Sequence, residues 1–500
     1  MHGDDLGLHL RRQRGNLPCG ELALTLATAF ATLAADYGEM MSLVVSISGI
    51  RGIVGKSLTP EVVVKYAGAF GEYCGRGSIV LGRDGRASGQ ILADIASSAL
   101  LAMGCDVLAI GVSPTPTVAL AVQESAASGG IAITASHNPV EWNGMKFIGS
   151  HGMFLAMSEN RRFWEIAERR NRAYAGWDSA GALKADDSHI EMHIRKVLAL
   201  PLLDVSAIRR RKFKVVVDCI NAAGGVIVPQ LLRRLGCSLI EMNCDVSGVF
   251  ARAPEPIPEN LSAVCKRVRA ERADLGIVVD PDVDRLVLIT EKGEPLGEEY
   301  TVTSIVNFVL KKTSTRKKGG HARAPIVVVN LSTTRAVEDV ARRYGAKVLR
   351  TPVGEINVAK KMKEVGAVVG GEGSGGVILP SLHYCRDAVL GIGLVMQMLT
   401  ESKGKLSELK KTLPHYEIVK AKVEIGNADP SLILGRIERD IGSSSSVNRE
   451  DGLRVDLGDS WVHLRKSNTE PIIRIIAEAS SRDKAEEIIE HFRKRLGTLT

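Results

Sequence analysis

Three carboxylates stand two residues apart in one run: Asp280, Asp282 and Asp284 of DPDVDR. In extended backbone alternate side chains project to one side, so the three acids converge. Like charges held that close repel unless a cation lies among them. Hard oxygen donors without Cys or His suit Mg2+ rather than zinc. Arg285 follows directly, where it is expected to meet a phosphate or a leaving oxygen. A second run, TASHNP over 134–139, carries Ser136 in a polar turn closed by a proline. A serine so held serves as a nucleophile when a neighbour activates it, although by residue type alone it also reads as a helix cap. Lys146, in NGMK at 143–146, is a candidate to reach back as acid, base or phosphate partner.

Two more loops carry usable chemistry. GEGSGG at 371–376 offers Glu372 and Ser374, a carboxylate and a hydroxyl suited to sugar hydroxyls, with a plain flexible linker as the alternative. RKSNTEP at 465–471, together with Arg474, combines two arginines, small hydrogen-bonding side chains and backbone amides, a set that matches the oxygens of a phosphate.

The elements around these loops repeat. Hydrophobic periodicity gives the same order three times. The first copy reads as a strand at 78–84, a helix at 88–103, a strand at 106–110, a helix at 117–124 and the strand GGIAIT. The second reads as a strand at 214–218, a helix ending at 235, a strand at 238–242, a helix at 260–271 and the strand LGIVVD. The third reads as a strand at 326–330, a helix at 332–344, a strand at 346–349, a helix ending at 364 and the strand AVVGG. Strands alternating with helices imply parallel, doubly wound α/β layers. The last strand of each copy runs into TASHNP, DPDVDR and GEGSGG respectively, and ligand sites in such sheets form at the carboxyl ends of strands. One site assembled from three similar domains follows. From about Tyr416 the pattern changes to alternating segments and a closing amphipathic helix, which reads as a smaller α+β domain.

Composition bounds the rest. At 500 residues the chain exceeds one ordinary core and is expected to divide into domains at 41–197, 198–298, 299–414 and 415–500, after an extension at 1–40. That extension holds an apolar run at 22–35 behind Arg11, Arg12 and Arg14, too short for a membrane span. It is expected to be disordered or a non-native start, with the globular pattern beginning at Met40 or Met41. The net charge of +8 raises a nucleic-acid partner, yet the clearest basic run, KKTSTRKKGGHAR at 311–323, has no aromatic residue for base stacking. It reads as a solvated loop, and neither nucleic acid nor membrane is expected as a partner. Eight cysteines without a CxxC pair read as reduced thiols of a cytoplasmic protein.

Taken in order, the four loops resemble those of the α-D-phosphohexomutase superfamily, which includes phosphoglucomutases, phosphomannomutases and phosphoglucosamine mutases. The resemblance runs from about Met41 to the C-terminus and rests above all on TASHNP and the triple-Asp loop. It implies three α/β domains plus a C-terminal α+β domain around a central cleft. It also implies a phosphoserine at Ser136, with Mg2+ held by that phosphate and by Asp280, Asp282 and Asp284. Sugar hydroxyls would fall to Glu372 and Ser374, and the non-reacting phosphate to Arg465, Ser467, Asn468, Thr469 and Arg474. Arg51 in SGIRG, Lys146 and Arg285 would surround the transferred phosphate, with His137 assisting. Implied too are a hexose 1,6-bisphosphate as intermediate and activator, hexose phosphates as the small-molecule partners, and a monomer or homodimer.

Some positions depart from the pattern: Pro281 and Val283 stand where smaller residues are usual, and TrpAsnGly replaces TyrAsnGly before Lys146. Gly376 stands where the bacterial mannose/glucose branch often has a histidine, a place for which His383 of LHYCRD is the expected substitute. SISGIRG, DPDVDR and GGVILPSLHYCRD are most similar to the phosphoglucosamine mutase branch, so interconversion of glucosamine 6- and 1-phosphates is expected, with phosphomannomutase/phosphoglucomutase activity as the alternative. A haloacid-dehalogenase-like phosphatase with Asp280 as nucleophile would leave the Ser136 and Arg465 loops unexplained. A silent phosphosugar-binding protein would not need every functional residue type to be present.

Overall fold

Runs of β-branched residues make the first strand of each repeat, Ile79–Arg83, Lys214–Asp218 and Ile326–Asn330. The computed structural model describes residues 43–315, 324–426, 428–441, 446–466 and 472–497. The expected extension at 1–40 and most of the basic run lie outside those residues. In the second repeat the sheet order is Leu286–Thr290, Leu275–Val279, Lys214–Asp218, Ser238–Met242. The third repeats it as Gly376–Ile378, Val369–Glu372, Ile326–Asn330, Lys347–Thr351. The first contains it as Trp142–Gly149, Gly129–Ile133, Ile79–Arg83, Val107–Val112. To these it adds Gly49–Ile53 and Val44–Ser46 at one edge and Leu183–Ala185 at the other.

The α/β class is as expected, but the sheets are mixed rather than purely parallel. The last strand of each repeat pairs with an antiparallel partner that immediately follows the functional loop. The reason is local: each loop reverses the chain. In the second, the Val283 amide donates to the Asp280 carbonyl at 3.1 Å, and Val283 adopts φ +62°, a left-handed turn that sends the chain back along its own sheet. The three loops therefore sit at hairpin tips, held on both sides by buried strands.

Packing fixes the tips relative to one another. One apolar core runs from Ile194 through the second sheet into the third and includes the helix Ala388–Ser402, which is buried around its circumference. Another joins Val80, Val118 and Ile148 of the first unit to Val328, Ile356 and Ile378 of the third. The C-terminal sheet is antiparallel, in the order Glu417–Glu424, Ile472–Ala479, Trp461–Lys466, Leu453–Asp456, Ser446–Asn448. It is backed by the helices Pro430–Ile441 and Arg482–Gly497 over its own core. Ser332 to His463 (2.9 Å), Arg335 N to Glu478 (3.0 Å) and Val353 N to Asp451 (2.9 Å) tie it to the third unit. The described cysteines are free thiols, and among the described residues no helix is long and apolar enough to cross a membrane.

Candidate active site

The serine loop is built from beneath. Arg86, almost fully buried, donates from Nη1 to the carbonyls of Pro139 (2.7 Å) and Trp142 (2.8 Å). Its Nη2 serves Ser136 O (2.7 Å) and Asn138 O (2.8 Å), and its Nε serves Asp84 (3.1 Å). Asp84 in turn receives the Thr134 hydroxyl at 2.6 Å, and Thr134 receives the Ser136 amide at 2.9 Å. With its main chain so fixed, Ser136 takes φ +50°, an uncommon conformation for a non-glycine residue. The serine is 1% exposed, and its hydroxyl donates to Asp280 Oδ2 at 3.2 Å, with His137 Nδ1 at 3.4 Å.

The three aspartates converge, but through the turn closed by Val283 (φ +62°) rather than through the extended backbone expected of their spacing. They are fully buried, and one ligand atom from each lies within 4.8 Å of the others. Asp280 Oδ1 accepts the amides of Asp284 (3.2 Å) and Arg285 (3.1 Å). Asp282 Oδ2 accepts Thr115 Oγ1 (2.8 Å) and Lys146 Nζ (2.6 Å), and Asp284 Oδ2 accepts Lys146 (3.2 Å) and Arg386 (2.6 Å). The second oxygens, Asp282 Oδ1 and Asp284 Oδ1, are buried and have no hydrogen-bond partner. Bare carboxylate oxygens cost too much to leave dry, so this donor set fits a hard divalent cation. Burial, then the neighbouring Asp284 and Asp282, push the Asp280 carboxyl well above the usual range. A cation there would reverse that.

Basic groups line the other side. Burial pulls down on the Lys146 ammonium, but Asp282 and Asp284 more than offset it and hold it above the ordinary lysine range. It therefore acts as a fixed positive charge rather than as a base. Arg285 donates to His137 Nδ1 at 2.9 Å and lies 3.4 Å from Glu255. The Arg285 charge, with burial, keeps the imidazole neutral, well below its usual value. Arg51 reaches Asn138 Oδ1 at 3.0 Å, beside the same loop. Ser136, His137, Lys146, Arg285 and the three aspartates thus form one centre, with Arg51 at its edge.

The GEGSGG loop adjoins it through Arg386, which the sequence reading missed. Its Nη1 donates to Glu372 Oε2 at 2.8 Å and lies 3.4 Å from Ser374 Oγ, while Nη2 holds Asp284. Glu372 Oε1 accepts Asn330 Nδ2 (2.8 Å) and the Gly354 amide (3.0 Å). The structure does not bring His383 here: it is 2% exposed, with Nε2 on Asp387 at 2.9 Å. Asp387 caps the helix Ala388–Ser402 and also takes His193 at 2.9 Å. His383 belongs to that interior network. The space a side chain at 376 would need is filled by Arg386.

On the C-terminal sheet Arg465 and Arg474 stand directly opposite in register, so both point to the same face. Ser467, Asn468 and Thr469 lie outside the described residues. Arg465 reaches Asp451 at 3.2 Å, Asp451 takes the Val353 amide, and the next amide, Gly354, holds Glu372. Three polar contacts in series thus join Arg465 to the GEGSGG loop. Thr115, Asp451 and Arg386 carried no spacing signal, whereas Arg86 had one: DGR ends the first strand of the first repeat, as functional loops end the last strands.

A buried serine facing a carboxylate triad, ringed by fixed cations at the tips of three repeated sheets, defines an enzyme of phosphoryl transfer. The chain belongs to the phosphoglucomutase/phosphomannomutase family, the phosphohexomutases. It matches that family's α/β/α domains I, II and III over residues 43–173, 191–293 and 300–416, and its C-terminal domain over 403–495. A Methanopyrus kandleri protein named "Probable phosphoglucosamine mutase" is 37% identical over 447 residues, 89% of this chain and 96% of that one. A Thermococcus kodakarensis protein named phosphoglucomutase/phosphomannomutase is also 37% identical, over 448 residues, 88% of this chain and 96% of its own length. Among solved structures, a phosphoglucomutase/phosphomannomutase family protein from Burkholderia thailandensis superposes with a TM-score of 0.77 at 26% identity, covering 92% of this chain and 97% of that one.

Proposed function

We propose that Ser136 is the phosphate carrier of this phosphohexomutase and that its preferred reaction is the interconversion of glucosamine 6-phosphate and glucosamine 1-phosphate. The observation that carries the first part is the Ser136 hydroxyl, 3.2 Å from Asp280 of a triad in which two further buried carboxylate oxygens lack a hydrogen bond. The second part rests on the likeness to phosphoglucosamine mutases; phosphomannomutase/phosphoglucomutase activity is the alternative.

In the first transfer the bond between phosphorus and Ser136 Oγ breaks and a bond to the free sugar hydroxyl forms. The hydroxyl proton is released, and Ser136 Oγ ends protonated. A hexose 1,6-bisphosphate results, turns over in the cleft and returns its other phosphoryl group to Ser136. Lys146, Arg285 and Arg51 neutralise the oxygens of the moving group, and catalysis is mainly positioning and electrostatics. Asp280, Asp282 and Asp284, with the phosphate on Ser136, would hold Mg2+. When bound, that ion supplies charge compensation for the phosphoryl oxygens. Neutral His137 accepts from Arg285 and so aims its guanidinium. Glu372 and Ser374 hold sugar hydroxyls, and Arg465 with Arg474 anchors the phosphate that is not reacting. Burial keeps water from the phosphoserine.

The test is to load the enzyme with a hexose bisphosphate and Mg2+, digest it and locate the phosphate. Phosphate on Ser136, with the highest kcat/KM for glucosamine phosphate over mannose and glucose phosphates, is the expected result. Phosphate on Asp280 with an active Ser136→Ala variant would overturn the carrier assignment.

A further inference from the structure

Arg386 has no part in the transfer as written, yet it joins the two loops that do the work. Each of its three nitrogens meets a carboxylate from a different element: Nε with Glu355 at 3.0 Å, Nη1 with Glu372 at 2.8 Å and Nη2 with Asp284 at 2.6 Å. Glu355 also receives the Arg386 amide at 2.7 Å, so both ends of the side chain are pinned. A guanidinium is a rigid planar fork, and one that is filled on every nitrogen sets the separations among its partners. Here those partners are a residue of the metal loop, the carboxylate of the sugar loop and the helix Glu355–Val365.

Gly376 carries the second observation. It lies in a strand opposite Glu372, and its φ is outside the left-handed region, so the backbone does not require glycine. Space does. A Cβ built on Gly376 overlaps Arg386 Cδ and crowds Cγ at 2.9 Å and Nε at 3.2 Å, and no other residue comes as near. Glycine at 376 and arginine at 386 are two halves of one device.

We propose that Arg386 is a positioning residue that holds the Glu372–Ser374 pair at a fixed distance from the phosphoryl-transfer centre, and that residue 376 is glycine in order to admit it. The proposal rests on the phosphohexomutase reading, because it assigns the sugar to that pair. It gives the sugar loop a register set by the metal loop rather than by its own hairpin.

Gly376→Ala tests this without removing a charge, since the added methyl displaces the Arg386 stem. Arg386→Lys keeps the charge but cannot span three carboxylates. Each is expected to fold, to become phosphorylated on Ser136 as the wild type does, and to raise the KM for hexose phosphate about tenfold or more with a smaller loss in kcat. Calorimetric binding of the same hexose phosphate weakens by the same factor. In an Arg386→Ala background, where the space is vacant, adding Gly376→Ala changes KM by no more than about twofold, the non-additivity expected of residues that act as a unit. A KM within about twofold of wild type for either single variant, or effects that multiply in the double variant, would overturn the proposal. A wild-type enzyme that binds hexose phosphates but interconverts none would instead sink the underlying reading.

Discussion

The metal loop and the sugar loop occupy the same place in successive repeats, yet they treat their carboxylates in opposite ways. Asp282 and Asp284 each keep one buried oxygen without a hydrogen bond, while both oxygens of Glu372 are engaged by Asn330, Gly354 and Arg386. A polar atom kept dry and unpaired is tolerable only if something comes to meet it. One that is fully engaged is a fixture, presenting an edge of known position. The first loop is therefore open to an incoming charge and the second is a fixed edge, which under the proposed function faces sugar hydroxyls. Identical topology served both because the difference lies in a few donors brought from other elements.

The contrast can be broken most severely at its origin. Ser136→Ala removes the group the open loop faces, and mutase turnover should fall by at least about a thousandfold, some 4 kcal/mol in the barrier. Binding of hexose phosphate, measured calorimetrically, should stay close to wild type, because the serine hydroxyl touches the triad and not the sugar loop.

Isosteric amides give the sharper comparison. In Asp282→Asn the oxygen can keep Lys146 and Thr115 while the amide group turns into the vacant position, so unfolding free energy without metal should be nearly unchanged. Mg2+ affinity should drop by about tenfold or more. In Glu372→Gln one side of the amide must face donors on either oxygen position, and denaturant unfolding should show a loss of about 1–3 kcal/mol. Equal stability losses in the two variants would erase the distinction. Thr115→Val is milder. It deletes one donor to Asp282 and should weaken Mg2+ binding by up to about tenfold, with Thr115→Ser restoring it.

The smallest effect on catalysis is expected beneath the 371–376 loop, where the readout is stability against pH. A Cβ on Gly373 would overlap the carboxylate of Glu299, which is buried and holds the Thr334 amide at 2.9 Å. Burial, opposed by Lys420, pushes Glu299 up to about 8 from an ordinary 4.5. The folded protein thus binds a proton that the unfolded chain has already lost. The stability that proton confers is present at low pH and lost as pH rises from about 4.5 to about 8. Thermal melting should decline over that window, and Glu299→Gln should flatten the decline.

How much of this was legible in the sequence depended on distance along the chain. KVVVD, SLIEM, IVVVN and IIRIIAEA are strands with the limits their patterns suggest, because local periodicity decides a buried or half-buried strand. The grouping of Asp280, Asp282 and Asp284 was expected, but it comes from the turn at Val283 and not from extended backbone. The antiparallel strands after each loop were missed: LVLIT directly follows DPDVDR, and nothing in the residue types marks the reversal at Val283. The helices Glu298–Thr315, Ala388–Ser402 and Pro430–Ile441 also lay outside the repeat that organised the reading. His383 was nominated by nearness in sequence to the sugar loop, whereas Arg386, three residues on, reaches it in space. Partners recruited from 14 to 102 residues away, as Arg386 recruits Glu372 and Asp284, leave no trace in local spacing.

Arg86 carries a last consequence. All of its donors go to main-chain carbonyls of the 136–142 segment or to Asp84, and none to the hydroxyl that would be esterified. The shape of that segment is thus insulated from what Ser136 carries. Under the proposed cycle the residue would present the same Cα–Cβ vector to the cleft whether phosphorylated or not, and each half-reaction would begin from the geometry in which the other ended.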